Sequence, residues 1–157
     1  MIKHPIPPLY DKSSKILILG SFPSQKSREA MFFYGHPQNR FWRVLSSILE
    51  TPLPQSVEEK KSMLLDNGIA LWDSIASCDI IGSSDSSIKN VVPNDLTPIL
   101  EESNIKAIFT NGKTSNKYFK KYNPTLSAIC LPSTSPANAG KRVEHLIEEW
   151  RIIKDYL

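Results

Sequence analysis

Lys15-Ile-Leu-Ile-Leu-Gly20 opens on a lysine, runs through four aliphatic residues and closes on a glycine. A strand with water on one side alternates apolar and polar residues, whereas unbroken aliphatic character suits a strand covered on both faces. The run is therefore read as a central parallel strand. Outward from it, a second strand begins near Ile69, and Lys106-Ala-Ile-Phe-Thr-Asn111 and Ser127-Ala-Ile-Cys-Leu-Pro132 supply two more.

Helical periodicity fills the intervals. Phe41, Trp42, Leu45, Ile48 and Leu49 recur at helical spacing, in a helix expected to begin near Asn39. Ser56 and Glu59 form a capping-box pattern, and the helix they open stops at Asn67-Gly68. Asp95 to Ser103 is a short helix with Pro98 tolerated in its first turn, and a polar helix carries Tyr118, Phe119 and Tyr122. From Lys141 to Leu157, residues Val143, Leu146, Ile147, Trp150, Ile153 and Leu157 fall on one face. Four strands alternating with helices predict an α/β protein: a three-layer α/β/α sandwich around a central four-stranded, mainly parallel sheet. Ser21 to Gln38 reads as irregular, and the Ser-, Asp- and Gly-rich stretch from Ser77 to Pro93 as an exposed loop long enough to be functional.

Bulk composition narrows the classes. At 157 residues and 40% hydrophobic content, the chain suits one domain spanning 1–157 with a single core. It has no uncharged apolar run long enough for a membrane span and no signal-peptide pattern, so a cytoplasmic monomer is expected. Cys78 and Cys130 lack metal-site spacing and are read as two buried free thiols. His4, His36 and His145 stand apart in the sequence without a carboxylate cluster, so neither a metal nor another cofactor is expected. The net charge of +3 is compatible with nucleic acid without requiring it. Neither GxxxxGK[ST] nor GxGxxG occurs, which ranks a nucleotide-binding domain last.

In open parallel sheets ligands bind outside the carboxyl ends of the strands. Three loops meet that description: Ser21 onward, Asn111-Gly112, and Ser133 onward. The first, from Gly20 to Trp42, gathers a Gly-Pro turn, several aromatics, His36 and Asn39. Such a loop lets backbone approach a ligand, offers ring faces for stacking, and supplies polar groups for a base edge.

The segments Gly-Ser-Phe-Pro-Ser24, Phe33-Tyr-Gly-His-Pro-Gln-Asn-Arg-Phe-Trp42 and Leu131-Pro-Ser-Thr-Ser-Pro-Ala-Asn138 together resemble the uracil-DNA glycosylase superfamily. Within it they are most similar to the hypoxanthine (deoxyinosine) DNA glycosylases, with the mismatch-specific uracil branch also similar. The resemblance implies an α/β/α fold and a monofunctional enzyme that flips a deaminated base out of DNA and hydrolyses its glycosidic bond. It implies no lyase step, since neither motif offers a lysine nucleophile. A mismatch-specific uracil-DNA glycosylase, or a non-catalytic DNA-binding member of the fold, is the alternative.

Many members of that superfamily place an acidic or amide residue in the first turn to position water. Here Ser21 or Phe22 stands there, so Ser21 and, above all, Asn39 become the catalytic candidates. Asn39 is expected to orient water or hydrogen-bond the base, and capping the following helix is compatible with either role. Tyr34 resembles the base-stacking aromatic, with Phe22 and Phe33 as competitors, while Asp73 and Asn111 are expected at the base edge. His36 is read as orienting its loop. Ser24, Ser133, Ser135 and Lys141 are the expected DNA contacts, with Arg40, Arg43, Lys113, Lys117, Lys120, Lys121 and Arg142 available to phosphates.

Overall fold

The computed structural model describes residues 1–157. Strand β2 (Ile16–Gly20) is buried at every position and lies between β3 (Ile69–Asp73) and β6 (Ala107–Asn111), with β7 (Ile129–Leu131) beyond β6. All three pairings are parallel, which confirms the four-stranded sheet predicted from the sequence.

The alternation within β2 separates two cores. Ile16 and Ile18 pack with side chains of α2 (Phe41–Leu49), α3 (Val57–Asp66) and α6 (Val143–Trp150). Leu17 and Leu19 face the other way, toward Ile99 of α4 (Thr97–Glu102) and Phe119 of α5 (Lys113–Tyr122). Because successive strand side chains point to opposite faces, one aliphatic run anchors both helical layers.

Local signals hold at α3. The Ser56 hydroxyl accepts from Glu59 N–H at 3.1 Å, while the Glu59 carboxylate reaches Gln55 N–H rather than that of Ser56. Gly68, with φ of +73°, ends the helix in the left-handed region that favours glycine. The last helical segment is α only to Trp150 and continues as a tighter 3-10 segment, Arg151–Tyr156.

Two expectations are corrected. The stretch read as the Ser77–Pro93 loop contains most of β4 (Ile75–Asp79) and β5 (Lys89–Pro93), antiparallel partners in a second sheet whose third member is β1 (Ile2–Lys3). This small sheet covers Phe22, Ile75, Cys78 and Ile88, but its strands are short and polar on their outer sides, so their composition reads as loop. The second correction concerns Cys130: Cys78 is buried as expected, but Cys130 is exposed on β7 at the edge of the main sheet. The irregular first loop also holds a short helix, α1 (Gln25–Ala30).

Candidate active site

The carboxyl ends of β2, β3 and β6 bring Gly20, Asp73 and Asn111 to one edge of the sheet, where a cavity of about 940 Å³ opens. Its lining draws on all three suspected loops and includes Ser21, Phe22, Ser24, Tyr34, Asn39, Asp73, Asn111, Ser133, Ser135 and Lys141. These ten residues therefore border one space, of a size that accommodates a small molecule, whereas Arg40, Arg43, Lys117, Lys120, Lys121 and Arg142 do not line it.

At the floor, Gly20 and Asp73 are partners in the parallel register. A Cβ on residue 20 would lie 2.4 Å from Asp73 Oδ1 and 3.0 Å from the Tyr34 hydroxyl, so glycine is required here by close approach. Asp73 Oδ2 lies 2.6 Å from His4 Nε2, with both side chains almost fully buried. His4 Nδ1 accepts from Ile6 N–H at 3.1 Å, which assigns the ring proton to Nε2 and makes His4 the donor to Asp73. Sequence inspection treated His4 as isolated; folding brings it 69 positions to a carboxylate.

Tyr34 takes a left-handed backbone conformation (φ +52°) and stacks on Phe41 with ring centroids 4.1 Å apart. One face of its ring is thus covered. Its hydroxyl is buried without a partner in hydrogen-bonding geometry, and the Asn111 side chain close by only weakly opposes the upward shift of its pKa. Burial first, and the negative charge of Asp73 second, push the phenol upward, so it stays an O–H donor. Phe22 is also mostly buried, edge-on to His4 at 5.8 Å and beneath the Arg28 guanidinium at 5.7 Å. Phe33 is buried against the cavity too.

Asn39 and Asn111 are joined through Thr134, a residue with no exposed surface. Asn111 Oδ1 accepts from Thr134 N–H and its Nδ2 donates to Thr134 Oγ1, both at 3.0 Å. The Thr134 hydroxyl donates to Asn39 Oδ1 at 2.9 Å, and that oxygen also accepts from Phe41 N–H at 2.9 Å. Asn39 stands one residue before the α2 N-cap, Arg40, and not at the cap itself; its side chain still holds the first helical N–H, and with its oxygen engaged it offers the cavity its amide hydrogens. Thr134 was not singled out in the sequence, and a threonine between two serines carries no local signal.

Arg40 departs from its expected role. Its backbone N–H and Nε both reach Thr134 O, while its guanidinium also donates to the carbonyls of Ser135, Asn138 and Lys141. The cation is committed to the Ser133–Lys141 loop instead of to phosphate.

The hydroxyl candidates divide. Ser24 caps α1 by accepting from Ser27 N–H, and it also donates to Ser27 Oγ, which occupies its proton. Ser133 and Ser135 only accept, from Ser135 N–H and Ala137 N–H, and keep their O–H groups free. Lys141 pairs with Glu149 at 2.9 Å beside the cavity mouth. His36 Nδ1 accepts from Gln38 N–H, consistent with a loop-orienting residue.

Comparison with known proteins agrees with this geometry. A family model described as the uracil DNA glycosylase superfamily matches residues 7–154. Proteins named hypoxanthine DNA glycosylase, from Methanosarcina barkeri and Methanosarcina acetivorans, are 37% and 35% identical over 146 and 145 residues; each match covers 88% of this chain and 89% of the relative. A solution structure from Methanosarcina acetivorans, of a protein proposed to be a uracil DNA glycosylase, superposes with a TM-score of 0.83 at 30% identity, covering 98% of this chain and 96% of that one. With the parallel sheet, the shared cavity and matches of this extent, the chain belongs to the uracil DNA glycosylase superfamily.

Proposed function

We propose that this protein flips hypoxanthine out of DNA and hydrolyses its N-glycosidic bond, as a monofunctional enzyme without a cofactor. DNA glycosylase activity follows from the family; the identity of the base is the proposal. The observation that carries the reading of the base's edge is the floor of the cavity, where the His4-held carboxylate of Asp73 and the unpartnered Tyr34 hydroxyl both border Gly20.

An ionised carboxylate only accepts, and the phenol beside it has a proton to donate. Hypoxanthine presents an N1–H next to a C6 carbonyl, which complements that pair. Adenine presents the reverse, an acceptor N1 beside an amino group, and leaves both protein groups mismatched. Uracil offers the same N–H and carbonyl pattern as hypoxanthine. The names of the relatives favour hypoxanthine over it.

In this reading Asn39 directs its free amide hydrogens to the base, where they stabilise charge departing with the leaving group. The Ser133 and Ser135 hydroxyls, together with Lys113 and Lys141 at the cavity mouth, take the flanking phosphates. Ser24 serves the fold of the first loop, and Phe22 and the uncovered side of Tyr34 bound the base.

The test is alkali-revealed strand cleavage on duplexes carrying hypoxanthine, xanthine, uracil or adenine, with wild type and Asp73→Asn in parallel. The expected result is wild-type cutting at hypoxanthine and about 10- to 100-fold slower cutting by the variant, the scale of a lost charged hydrogen bond. Failure to cut any lesion overturns the reading, and full hypoxanthine preference in Asp73→Asn overturns the role of the floor.

A further inference from the structure

Hydrolysis also requires a group that accepts a proton from the attacking water, and the residues assigned above do not provide one. The turn Ser21-Phe22 has no carboxylate. Asn39 Oδ1 already accepts from Phe41 N–H and Thr134 O–H. Asp73 lies at the floor, 4% exposed, with one oxygen bonded to His4.

A second carboxylate lines the same cavity. Asp85 begins the 3-10 turn Asp85–Ser87, on the hairpin connecting β4 and β5, and its Oδ1 accepts from Ser21 Oγ at 3.1 Å. Ser21 directly follows Gly20, so this contact lies one residue out from the floor of the cavity that Ser133, Ser135 and Lys141 also line. A flipped nucleotide with its base on the floor and its phosphates at the rim places its sugar at that level.

Resting on the glycosylase reading, we propose that Asp85 is the general base of the reaction, with Ser21 holding it in place. As the bond between C1′ and the base nitrogen breaks, its electron pair leaves with the base. Water oxygen bonds to C1′, and one water proton passes to the Asp85 carboxylate, which later returns it to the departed base or to solvent. The first-turn carboxylate absent from this sequence is thus replaced from a different part of the chain.

The electrostatic setting agrees. Asp85 keeps an exposed surface, yet partial loss of surrounding water within the cavity raises its carboxyl from the ordinary value; the Ser21 and Thr114 hydroxyls oppose this and the charge of Asp73 adds to it. A base with its acid form nearer neutrality takes a proton from water more readily. The ionisable groups that share its field are Asp73 on β3, Tyr34 of the first loop and Cys78 on β4; Lys113, His36 and Lys141 line the same cavity, and the Arg28 guanidinium of α1 donates to Gly82 O on the same hairpin at 2.9 Å. Asp73 is the charged neighbour whose field raises it.

The experiment is single-turnover excision from a hypoxanthine duplex between acid and neutral pH, with binding to the same duplex measured by anisotropy. Asp85→Asn is expected to lower the rate by about 100-fold or more, keep its affinity within about twofold, and abolish the wild-type rise of rate with pH. In Asp85→Ala, added formate is expected to restore part of the rate, which a merely bracing residue does not permit.

A variant that cuts within about threefold of wild type and keeps the acid limb overturns the proposal. So does parallel loss of rate and binding without formate rescue. If neither variant folds, the wild-type profile decides: an acid limb above the ordinary carboxylate range supports Asp85, and a rate flat into acid overturns it. An active wild type with an unimpaired Asp85→Asn overturns only this inference, whereas an inactive wild type removes the glycosylase reading as well.

Discussion

The Thr134 hydroxyl donates to Asn39 Oδ1 at 2.9 Å across 95 positions of sequence, and so determines which end of the Asn39 amide faces the cavity. Thr134→Val removes that donor and also the acceptor used by Asn111 Nδ2. Stability is expected to fall by about 1–3 kcal/mol in urea denaturation, because buried polar groups lose their partners. Thr134→Ser, which keeps the hydroxyl, should recover most of the hypoxanthine excision rate lost in the valine variant.

Arg40→Met separates two uses of a positive charge. With the guanidinium bound to four loop carbonyls, its loss is expected to weaken DNA binding while leaving the slope of log affinity against log salt unchanged. Lys113→Ala, at the cavity mouth, is expected to reduce that slope by about one, as for one released counterion. Equal slope changes in a salt titration of both variants would contradict the loop-bound role of Arg40.

Tyr34→Phe deletes a buried hydroxyl that has no partner in the free protein. Relief of that unsatisfied group predicts a gain of about 1 kcal/mol in unfolding free energy, accompanied by about tenfold slower excision of hypoxanthine. Opposite movements of stability and rate are what a group reserved for a ligand produces. A variant that loses stability shows that the hydroxyl serves the fold.

Gly20→Ala puts a methyl group 2.4 Å from Asp73 Oδ1. Either the carboxylate moves off His4 or the strand end shifts. Thermal denaturation should report a loss of about 1–3 kcal/mol, typical of an overpacked interior. Excision should fall further than this loss of stability explains, because the floor itself is displaced.

The sheet was legible because β2 states its double burial in consecutive aliphatic residues, and the motif loops because Gly20–Ser24 and Phe33–Trp42 each carry their motif in consecutive residues. The second sheet was obscured for the opposite reason: β4 breaks its apolar run with Ser77 and Asp79, β5 has no fully buried residue, and β1 is two residues long. His4 was unreadable because nothing near it announces Asp73, 69 positions away, as its partner. Arg40 looked like a phosphate ligand beside Asn39, since a cation's preference for backbone carbonyls emerges only when a loop folds around it. Asp85 was masked within a Ser-rich turn whose composition describes solvent exposure well and says nothing of the Ser21 hydroxyl it meets.

The Arg40 tether also bears on the time course of DNA encounter. A loop whose carbonyls are gathered by one guanidinium has lost its conformational freedom when the chain folds, before any duplex arrives. Docking of Ser133 to Asn138 against DNA then involves no disorder-to-order step, and stopped-flow association should be single-exponential, with an observed rate linear in duplex concentration.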